Sequence, residues 1–324
     1  MPSTQTPLGS GFGAASTAED VIGDIDLRGQ TALITGGYSG LGLETARLLA
    51  KAGAKVIVPA RDKEKARTAL SIIPGAELEV LDLMDPVSID ALADRFLASG
   101  RPLHMLINSA GIMASPLKRD ARGFEAQFST NHLGHFRLTA RLLPALRRAE
   151  GARVVSVSSR AHQISGVDFQ DPNFAQRDYN KWAAYGQSKT ANALFALGLD
   201  SRGETHGIRA FSLHPGTILT DLARSLSEAE IQAFDVHDAD GKLRLDPERD
   251  LKSVGQGAAT SVWCATSPQL VGRGGVYCEN CDIAALAPGG EPGKPGVRPW
   301  AADPVLADRL WSLSEELTGV RWAW

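Results

Sequence analysis

The segment Thr31–Arg47, which reads TALITGGYSGLGLETAR, determines how the rest of the chain is interpreted. A short β-rich run is followed by four glycines within seven positions, and a helical pattern then resumes at Leu41. Glycines between a strand and a helix let the backbone approach a pyrophosphate closely, and the helix N-terminus presents free N–H groups with a partial positive charge. The segment therefore predicts the first βα turn of a dinucleotide-binding fold, with a ligand-free glycine-rich turn as the alternative.

After this turn, strands and helices alternate along the chain. The predicted strands are Thr31–Thr35, Lys55–Val58, Leu78–Leu81, Met105–Asn108, Arg153–Ser158, Arg209–His214 and Gly275–Cys278. Helical spacing lies between most of them, at Leu41–Lys51, Lys63–Leu70, Val87–Ala98 and Phe136–Arg148. This alternation implies right-handed crossovers and a parallel sheet covered on both faces. We therefore expect an α/β protein: one domain, residues 25–324, with a doubly wound Rossmann fold whose mainly parallel seven-stranded sheet is flanked by helices.

The two ends of the chain differ in composition from this alternating body. Residues 1–24 are rich in Gly, Ser, Thr and Ala, and we expect a flexible N-terminal leader. The C-terminal extension, 284–324, begins with a Gly- and Pro-rich segment, 284–299, that should be irregular. Its final helix is predicted to start with Asp303 as N-cap, to end at Gly319 and to pack on the body of the domain. An oligomer contact of this helix is the alternative.

Composition argues against several classes of protein. The 324 residues are 43% hydrophobic and carry a net charge of −3, which gives no reason to expect a nucleic acid or an anionic membrane as partner. No stretch approaches the roughly 18 consecutive apolar residues of a membrane span. The three cysteines, Cys264, Cys278 and Cys281, form no disulfide framework, so a cytoplasmic location is expected. Cys278 and Cys281 have the spacing of half a zinc site, but no second pair follows, and no metal site is predicted.

Further short motifs follow the glycine turn in order. They are Asp82-Leu83 after the third predicted strand, Asn108-Ser-Ala-Gly111 after the fourth, Asn131 in the next helix, Ser158-Ser159 at the end of the fifth strand, Tyr185-Gly-Gln-Ser-Lys189, and Pro215-Gly216 after the sixth strand. With the T-G-x-x-x-G-x-G spacing of the glycine turn, this order resembles the short-chain dehydrogenase/reductase family over about residues 26–283. Asn108-Ser109 departs by one residue from the Asn-Asn that is usual in the family.

Two details resemble one branch of this family, which contains the retinol dehydrogenases and the WW-domain-containing oxidoreductase. They are the lead-in STAEDVIGDIDLRGQ and the segment SVSSRAH, with 26 positions from Ser159 to Tyr185. Since neither a membrane anchor nor a WW domain is recognised in the sequence, the resemblance implies a soluble relative.

The resemblance implies the roles of four residues. Tyr185 exchanges a proton with the substrate oxygen while a hydride passes to or from the nicotinamide, and Ser159 hydrogen-bonds the same oxygen. Lys189 holds the nicotinamide ribose, and Asn131 fixes a water in a proton relay. Ser158 is not assigned, because the catalytic serine of the family is the second of the Ser-Ser pair. Tyr185 and Lys189 are four positions apart and share a helix face, so the ammonium and the ribose are expected to lower the pKa of the phenol below its usual value of about 10.

The resemblance also implies which residues contact the dinucleotide. They are Gly36, Tyr38, Ser39, Gly40, Leu41, Gly42, Arg61, Asp82, Leu83, Asn108, Ala110, Gly111, Tyr185, Lys189, Pro215, Gly216, Thr217 and Thr220. NADP(H) is predicted as the preferred cofactor, because Ala60 stands where an acidic residue would bind the ribose 2′-hydroxyl of NAD, and Arg61 would clamp a 2′-phosphate. Asp62 is interpreted as the N-cap of the following helix. NAD(H) is the alternative cofactor.

The predicted substrate is a small molecule, a neutral and fairly bulky carbonyl compound or alcohol. The insert before the Tyr-x-x-x-Lys motif contains four aromatic residues, Phe169, Phe174, Tyr179 and Trp182. Residues 221–251 are long and mixed in composition, as in a mobile lid over an apolar pocket. Packing within the insert is the alternative role of the aromatics. A homo-oligomer, dimer or tetramer, is a further expectation.

Two other functions remain open at this point. Nucleotide-sugar epimerases and dehydratases share Tyr-x-x-x-Lys, but they carry T-G-x-x-G-x-x-G, which requires glycine at the position of Ser39. A non-catalytic module that senses NADP(H) needs no proton donor, so the complete set of Asn131, Ser159, Tyr185 and Lys189 argues against it. The sequence favours an NADP(H)-dependent oxidoreductase that interconverts a ketone or aldehyde and an alcohol.

Overall fold

Eight strands form one sheet in the computed structural model, which describes residues 4–238, 240–287 and 293–324. The strands are β1 (Thr31–Thr35), β2 (Lys55–Ala60), β3 (Glu77–Val80), β4 (Met105–Asn108), β5 (Ala152–Val157), β6 (Ile208–His214), β7 (Val276–Glu279) and β8 (Asp282–Ile283). Their order is β3-β2-β1-β4-β5-β6-β7-β8, so β3 and β8 are the edges. All neighbours are parallel except β7 and β8. The predicted α/β Rossmann fold is confirmed, with one strand more than expected.

The additional strand, β8, is two residues long and follows β7 after a tight turn. Asn280 and Cys281 in this turn have positive φ values of 52° and 58°. Cys278 lies opposite Ile283 in the antiparallel pair. Because a strand of two residues has no periodicity in the sequence, counting β-rich runs could not detect it.

Helices connect the parallel strands. The α-helices are α1 (Ala18–Ile22), α2 (Gly40–Lys51), α3 (Lys63–Leu70), α4 (Pro86–Ala98), α5 (Ala126–Phe128), α6 (Gly134–Arg147), α7 (Lys181–Gly203), α8 (Glu228–Ala233), α9 (Val254–Thr266) and α10 (Pro304–Thr318). A π-helical turn, Ser129–Leu133, joins α5 to α6, and 3₁₀ turns lie at Arg160–Gln163, Glu204–His206, Asp221–Ser225, Pro247–Arg249, Pro268–Leu270 and Pro299–Ala301. The predicted helices agree with α2, α3, α4 and α6 to within two residues. None of the helices in the described ranges is long and apolar enough to cross a membrane.

Apolar cores lie on both faces of the sheet, because successive residues of a strand point to opposite faces. Ile34 of β1 belongs to a core that contains Leu48 of α2 and Trp263 of α9. Its neighbour Leu33 belongs to a different core, which contains Leu199 of α7. Both faces of β1 are therefore covered, as a parallel sheet between two helical layers requires.

The N-terminal segment packs against the body of the protein, unlike the flexible leader expected from its composition. The backbone N–H groups of Leu8 and Gly9 donate to the Asp282 carboxylate, at 2.7 and 2.9 Å. α1 begins with a capping box between Thr17 and Asp20, and its apolar residues are buried in the core. The glycine and serine content of this segment concealed a short amphipathic helix. Residues 1–3 of the expected leader lie outside the described residues.

The final helix, α10, has the limits predicted from its caps. The Asp303 carboxylate accepts hydrogen bonds from two N–H groups of the first turn, and Gly319 follows the helix with φ = 69°. Leu310 of α10 packs with Leu194 of α7 in a buried cluster. The prediction that this helix packs on the body of the domain is confirmed.

The rest of the C-terminal extension is irregular where the structure describes it. Residues 284–287 and 293–298 contain no helix and only an isolated β-bridge, while residues 288–292 lie outside the described residues. The rings of Trp322 and Trp324 stack with centroids 5.3 Å apart, and both contact a tryptophan of α10. These two residues therefore pack against the last helix.

Candidate active site

A cavity of about 1310 Å³ opens at the carboxyl ends of the central strands. Its walls come from the turns after β1 to β6, from the N-terminal part of α7 and from parts of the segment after β6, within residues 217–236 and 249–250. All predicted cofactor contacts line it except Asn108, and Ser159 lines it as well. Since open parallel sheets bind ligands at the carboxyl ends of their strands, this cavity is the candidate site for both a dinucleotide and a substrate.

The glycine turn after β1 has the shape needed to hold a pyrophosphate. Gly36 has φ = 70°, and a Cβ atom there would lie 3.0 Å from the Ala110 Cα atom. A Cβ atom on Gly42 would overlap the Gly36 carbonyl oxygen, so only glycine lets α2 pack against the turn. The N-cap of α2, Ser39, makes no side-chain capping hydrogen bond. The N–H groups of the first turn of α2 are therefore available to phosphate oxygens, and the turn fits a dinucleotide.

The end of β2 presents a positive charge to this part of the cavity. Arg61 is exposed, lines the cavity and makes no hydrogen bond or ion pair with any residue in the described part of the chain. Ala60 before it is buried. Asp62 after it caps α3 by accepting from the N–H groups of Glu64 and Lys65, which confirms the N-cap prediction. Arg61 is therefore the charged side chain that the end of β2 offers to a ligand.

Asn108 and Asn131 lie behind the cavity wall rather than on its surface. Asn131 is in the π-helical turn, where its side chain accepts from the Ile112 N–H at 2.9 Å and donates to the Ile112 carbonyl oxygen at 3.0 Å and to Ser188 Oγ at 2.9 Å. Asn108 Nδ2 donates to Thr139 Oγ1 at 3.3 Å. The structure thus does not place either side chain in the cavity, because hydrogen bonds hold the Asn131 amide to the loop after β4 and the Asn108 amide to α6.

Ser159, Tyr185 and Lys189 come together on one wall of the cavity. Tyr185 and Lys189 lie on successive turns of α7, and the Lys189 Nζ atom is 5.6 Å from the centroid of the Tyr185 ring. The Ser159 hydroxyl lies beside the Tyr185 phenol and accepts a hydrogen bond from the Ala161 N–H at 3.2 Å. Ser158 instead donates its hydroxyl proton to the Lys189 carbonyl oxygen at 2.6 Å. The serine that faces Tyr185 is therefore Ser159, the member of the pair that the family resemblance implies.

In the protein without a bound cofactor, burial shifts the pKa values of Tyr185 and Lys189. It raises the pKa of Tyr185 to about 12, although the hydrogen bond from Ser159 opposes the shift. Burial also lowers the pKa of Lys189 to about 8. The Lys189 ammonium donates to the Val157 carbonyl oxygen at 3.0 Å. The lowering of the Tyr185 pKa expected from the sequence is thus not supplied by the protein alone, because desolvation of the phenolate outweighs the nearby ammonium.

The segment between Thr217 and Leu251, where the sequence predicts a lid, contributes to the walls of the cavity. The ends of this segment meet where Thr217 and Leu251 form a β-bridge. Between them, Ile231 and Phe234 of the α8 region line the cavity. The sequence indicated a lid from the length of the segment, but it held no signal for which side chains face the cavity. The two apolar residues were therefore missed.

Of the four aromatic residues in the insert, Trp182 alone lines the cavity. Phe174 is buried and packs on Tyr179, with ring centroids 5.2 Å apart. Phe169 packs against a cluster built from α7 and α10. The packing alternative therefore holds for three of the four residues, and only Trp182 is placed to contact a substrate.

The cysteine pair near β7 is divided between two environments. Cys278 lies beside Cys264, while Cys281 Sγ is 3.8 Å from Thr260 Oγ1. All three cysteines are free and buried. Among the residues that the structure describes, no group of three or more His, Cys, Asp or Glu side chains could hold a metal ion. These thiols therefore act as packing residues in this structure.

Comparison with known proteins assigns this fold and site to a family. A family model described as short chain dehydrogenase matches residues 30–231, from the residue before β1 to the lid helix α8. The match covers more than half of the chain, and the chain belongs to the short-chain dehydrogenase/reductase family. The protein is therefore an oxidoreductase, and NAD(H) or NADP(H) is the class of cofactor that its family uses.

Individual relatives extend over nearly the whole chain. A protein of Streptomyces lividans named "Probable oxidoreductase" is 44% identical over 293 residues, which are 89% of this chain and 97% of that protein. Retinol dehydrogenase 12 of Homo sapiens is 38% identical over 305 residues, which are 92% of this chain and 89% of that protein. A solved structure of a Mycobacterium paratuberculosis protein has a TM-score of 0.72 and 33% identity, and the match covers 96% of this chain and 100% of that one. The resemblance to retinol dehydrogenases is confirmed.

Proposed function

We propose that the protein is an NADP(H)-dependent oxidoreductase that interconverts a ketone or aldehyde and an alcohol, with Tyr185 as general acid and base. The observation that supports this most directly is the shared cavity, since the glycine turn and the group of Ser159, Tyr185 and Lys189 open into the same space. Bound NADP(H) supplies or accepts the hydride.

Two hydroxyl groups are available to one substrate oxygen. In the reductive direction, the Tyr185 phenol gives its proton to the oxygen of the carbonyl group, and the Ser159 hydroxyl donates a hydrogen bond to that oxygen. The Lys189 ammonium stabilises the phenolate that remains. In the oxidative direction, the phenolate accepts the proton of the alcohol. Asn131 acts indirectly, by fixing the loop after β4 beside this group.

The protonation states favour reduction at neutral pH. With a pKa of about 12, the Tyr185 phenol keeps its proton at neutral pH. With a pKa of about 8, Lys189 is mainly an ammonium below that pH. A protonated acid beside a positive charge is the starting state for carbonyl reduction, whereas alcohol oxidation needs the phenolate and therefore a higher pH.

Arg61 supports NADP(H) over NAD(H) as the cofactor. A planar guanidinium binds a phosphate through two parallel hydrogen bonds, and this one is exposed at the end of β2 without a partner in the described residues. The carboxylate next to it, Asp62, is used as the N-cap of α3. The end of β2 therefore presents a cation suited to a 2′-phosphate.

The cavity lining supports a neutral, fairly bulky substrate. Apolar side chains from the loop after β4, from α7 and from the lid line the cavity, namely Met113, Trp182, Leu226, Ile231 and Phe234. Such walls favour a ligand with a large apolar surface. The relative retinol dehydrogenase 12 is named for retinol, a bulky apolar alcohol, which agrees with this substrate class.

Turnover of a small set of ketones tests the proposal. With NADPH, the protein should reduce 2-acetonaphthone with a higher kcat/KM than acetone or pyruvate, as followed by NADPH absorbance. Binding of NADPH without turnover of any carbonyl compound would favour the non-catalytic sensor. A preference for pyruvate would contradict the neutral, bulky substrate.

A further inference from the structure

The peptide group that follows Ser159 is held from both sides by buried side chains. Its carbonyl oxygen accepts hydrogen bonds from His162 Nδ1 at 2.7 Å, from the backbone N–H of His162 at 3.0 Å and from the Tyr277 hydroxyl at 3.1 Å. The Tyr277 hydroxyl oxygen also lies 3.1 Å from His162 Nδ1. Its N–H, which belongs to Arg160, donates to His214 Nδ1 at 3.0 Å. His162, Tyr277 and His214 are all buried. The Ser159–Arg160 peptide group therefore cannot rotate without breaking at least one of these bonds.

The partners of the two imidazoles determine which ring nitrogen carries the proton. His162 Nε2 accepts from the backbone N–H of Arg298 at 3.2 Å, so its proton is on Nδ1 and points to the Ser159 carbonyl oxygen. His214 Nδ1 accepts from the Arg160 N–H of this peptide group, so its proton is on Nε2. The Nε2–H group donates to the Asp250 carboxylate at 2.8 Å. Burial lowers the pKa of His162 to about 4, which keeps its ring neutral. The two histidines therefore have opposite tautomers.

Each histidine is fixed by a different part of the fold. The His162 carbonyl oxygen accepts from Trp300 Nε1, in the C-terminal extension, at 3.0 Å. Asp250, the partner of His214, lies at the base of the lid, where its carbonyl oxygen accepts from the Thr217 N–H at 2.8 Å. The peptide group after Ser159 is thus connected to the C-terminal extension on one side and to the lid base on the other.

The direction of the Ser159 hydroxyl depends on this peptide group. Ser159 Oγ accepts a hydrogen bond from the Ala161 N–H. Ala161 lies in the 3₁₀ turn Arg160–Gln163, which begins directly after the Ser159–Arg160 peptide group. A rotation of the peptide would displace both the Cα–Cβ bond of the serine and the N–H that orients its oxygen. A displacement of about 1 Å at a reacting group can reduce a rate by about 10²-fold.

We propose that His162 and His214 are positioning residues, which direct the Ser159 hydroxyl toward the substrate oxygen by fixing the peptide group after it. This inference rests on the proposed function, because it needs Ser159 to bind that oxygen. It assigns a role to the Arg-Ala-His sequence, 160–162, that follows the serine pair. It also assigns one to the C-terminal extension, which supplies the N–H that keeps His162 in its tautomer.

Two variants of similar size separate positioning from packing. His162→Leu removes the imidazole donor to the Ser159 carbonyl oxygen and leaves the Tyr277 hydroxyl and the backbone N–H of residue 162 as donors. His162→Asn restores a side-chain donor close to the place of Nδ1. His162→Leu should lower kcat for ketone reduction at least about tenfold while the Kd for NADPH stays within about twofold, and His162→Asn should recover most of the loss. In a Ser159→Ala background, His162→Leu should cause no further loss of kcat. An equal loss in both backgrounds would overturn the proposal.

Histidine ¹⁵N NMR of the full chain tests the hydrogen bonds of the two histidines to the Ser159–Arg160 peptide group independently of turnover. His162 should show the Nδ1–H tautomer and His214 the Nε2–H tautomer, and the reverse assignment would overturn the proposal.

The matched control for the kinetic measurements is His104→Leu. His104 Nδ1 also accepts a backbone N–H, from Thr31 at 3.0 Å, but at the amino end of the sheet. This variant should keep the kcat of the wild type. An inactive wild type that binds NADPH would contradict the proposed function, whereas an active wild type matched by His162→Leu would contradict the positioning role alone.

Discussion

The Glu230 carboxylate of the lid helix accepts a hydrogen bond from the Lys181 ammonium at 2.8 Å. The same carboxylate accepts from Trp182 Nε1 at 3.2 Å, and both donors lie in the first turn of α7, one turn before Tyr185. The Phe234 ring lies 5.9 Å from the Trp182 ring, centroid to centroid. Because no residue of α8 is buried, these contacts rather than a core hold α8 against the first turn of α7.

Weakening this contact should loosen the lid without changing the chemical step. Glu230→Gln removes the ion pair to Lys181 but keeps an amide that can complete the capping box of α8. Since a partly exposed ion pair is worth at most about 1 kcal/mol, the KM for 2-acetonaphthone should rise about two- to fivefold, with kcat and the Kd for NADPH unchanged. Glu228→Gln is the control, because Glu228 lies in the same turn of α8 and makes no hydrogen bond to any described residue. Equal KM changes in both variants would show that the ion pair is irrelevant.

Arg61→Ala should reverse the cofactor preference. Loss of a charge-assisted hydrogen bond of about 1.5–3 kcal/mol should raise the KM for NADPH at least about tenfold, while the KM for NADH stays nearly constant because NADH has no 2′-phosphate. Lys63→Ala, which removes a nearby exposed cation outside the cavity, is the control. A wild type whose kcat/KM favours NADH would refute the assignment of NADP(H).

Tyr185→Phe should abolish most turnover, because it removes the acidic hydroxyl and keeps the ring. We expect kcat to fall at least ~10²-fold, the lower range for general acid–base catalysis, with little change in the Kd for NADPH. Lys189→Ala should impair both quantities, since the proposed mechanism uses the ammonium to stabilise the phenolate and to hold the ribose. Steady-state kinetics and NADPH fluorescence titration measure the two effects. Normal turnover by Tyr185→Phe would mean that another residue carries the proton.

Ketone reduction should depend on pH through Lys189. Burial lowers its pKa from the usual 10.5 to about 8, so the ammonium is present below pH 8 and is lost as the pH rises through that value. The kcat/KM for reduction should therefore be constant at neutral pH and decline above about pH 8, while alcohol oxidation should increase with pH. The Kd for NADPH, measured over the same range, separates loss of binding from loss of chemistry. Reduction that accelerates through pH 8 would contradict this account.

The sequence predicted those parts of the fold and site that are encoded locally. The glycine turn, Asp62 as N-cap and Tyr185 with Lys189 all depend on residues a few positions apart, so their spacing indicates their geometry. β8 was missed because two residues carry no period. The flexible leader was predicted from the glycine and serine content of residues 1–24. That content does not reveal the capping box between Thr17 and Asp20, which begins a helix.

Contacts between distant segments could not be predicted in the same way. Glu230 lies 49 positions from Lys181, and nothing near either residue in the sequence indicates the other. The pKa of Tyr185 depends on how deeply the phenol is buried, which the spacing to Lys189 does not reveal. The contacts of His162 and His214 with the peptide group after Ser159 arise only when β5, β6 and the C-terminal extension are brought together.

The two edges of the sheet are closed to additional strands in different ways. The outer strand β3 carries Glu77 and Glu79, and each binds an arginine of a neighbouring element. At the opposite edge, β8 has only two residues, and Gln5 Nε2 donates at 2.7 Å to the carbonyl oxygens of Tyr277 and Ala284 beside it. Charged, short or covered edges resist pairing with a second chain. We therefore expect a protein that stays free of fibrous aggregates at high concentration, and one in which any homo-oligomer assembles through helices and loops rather than by extending the sheet.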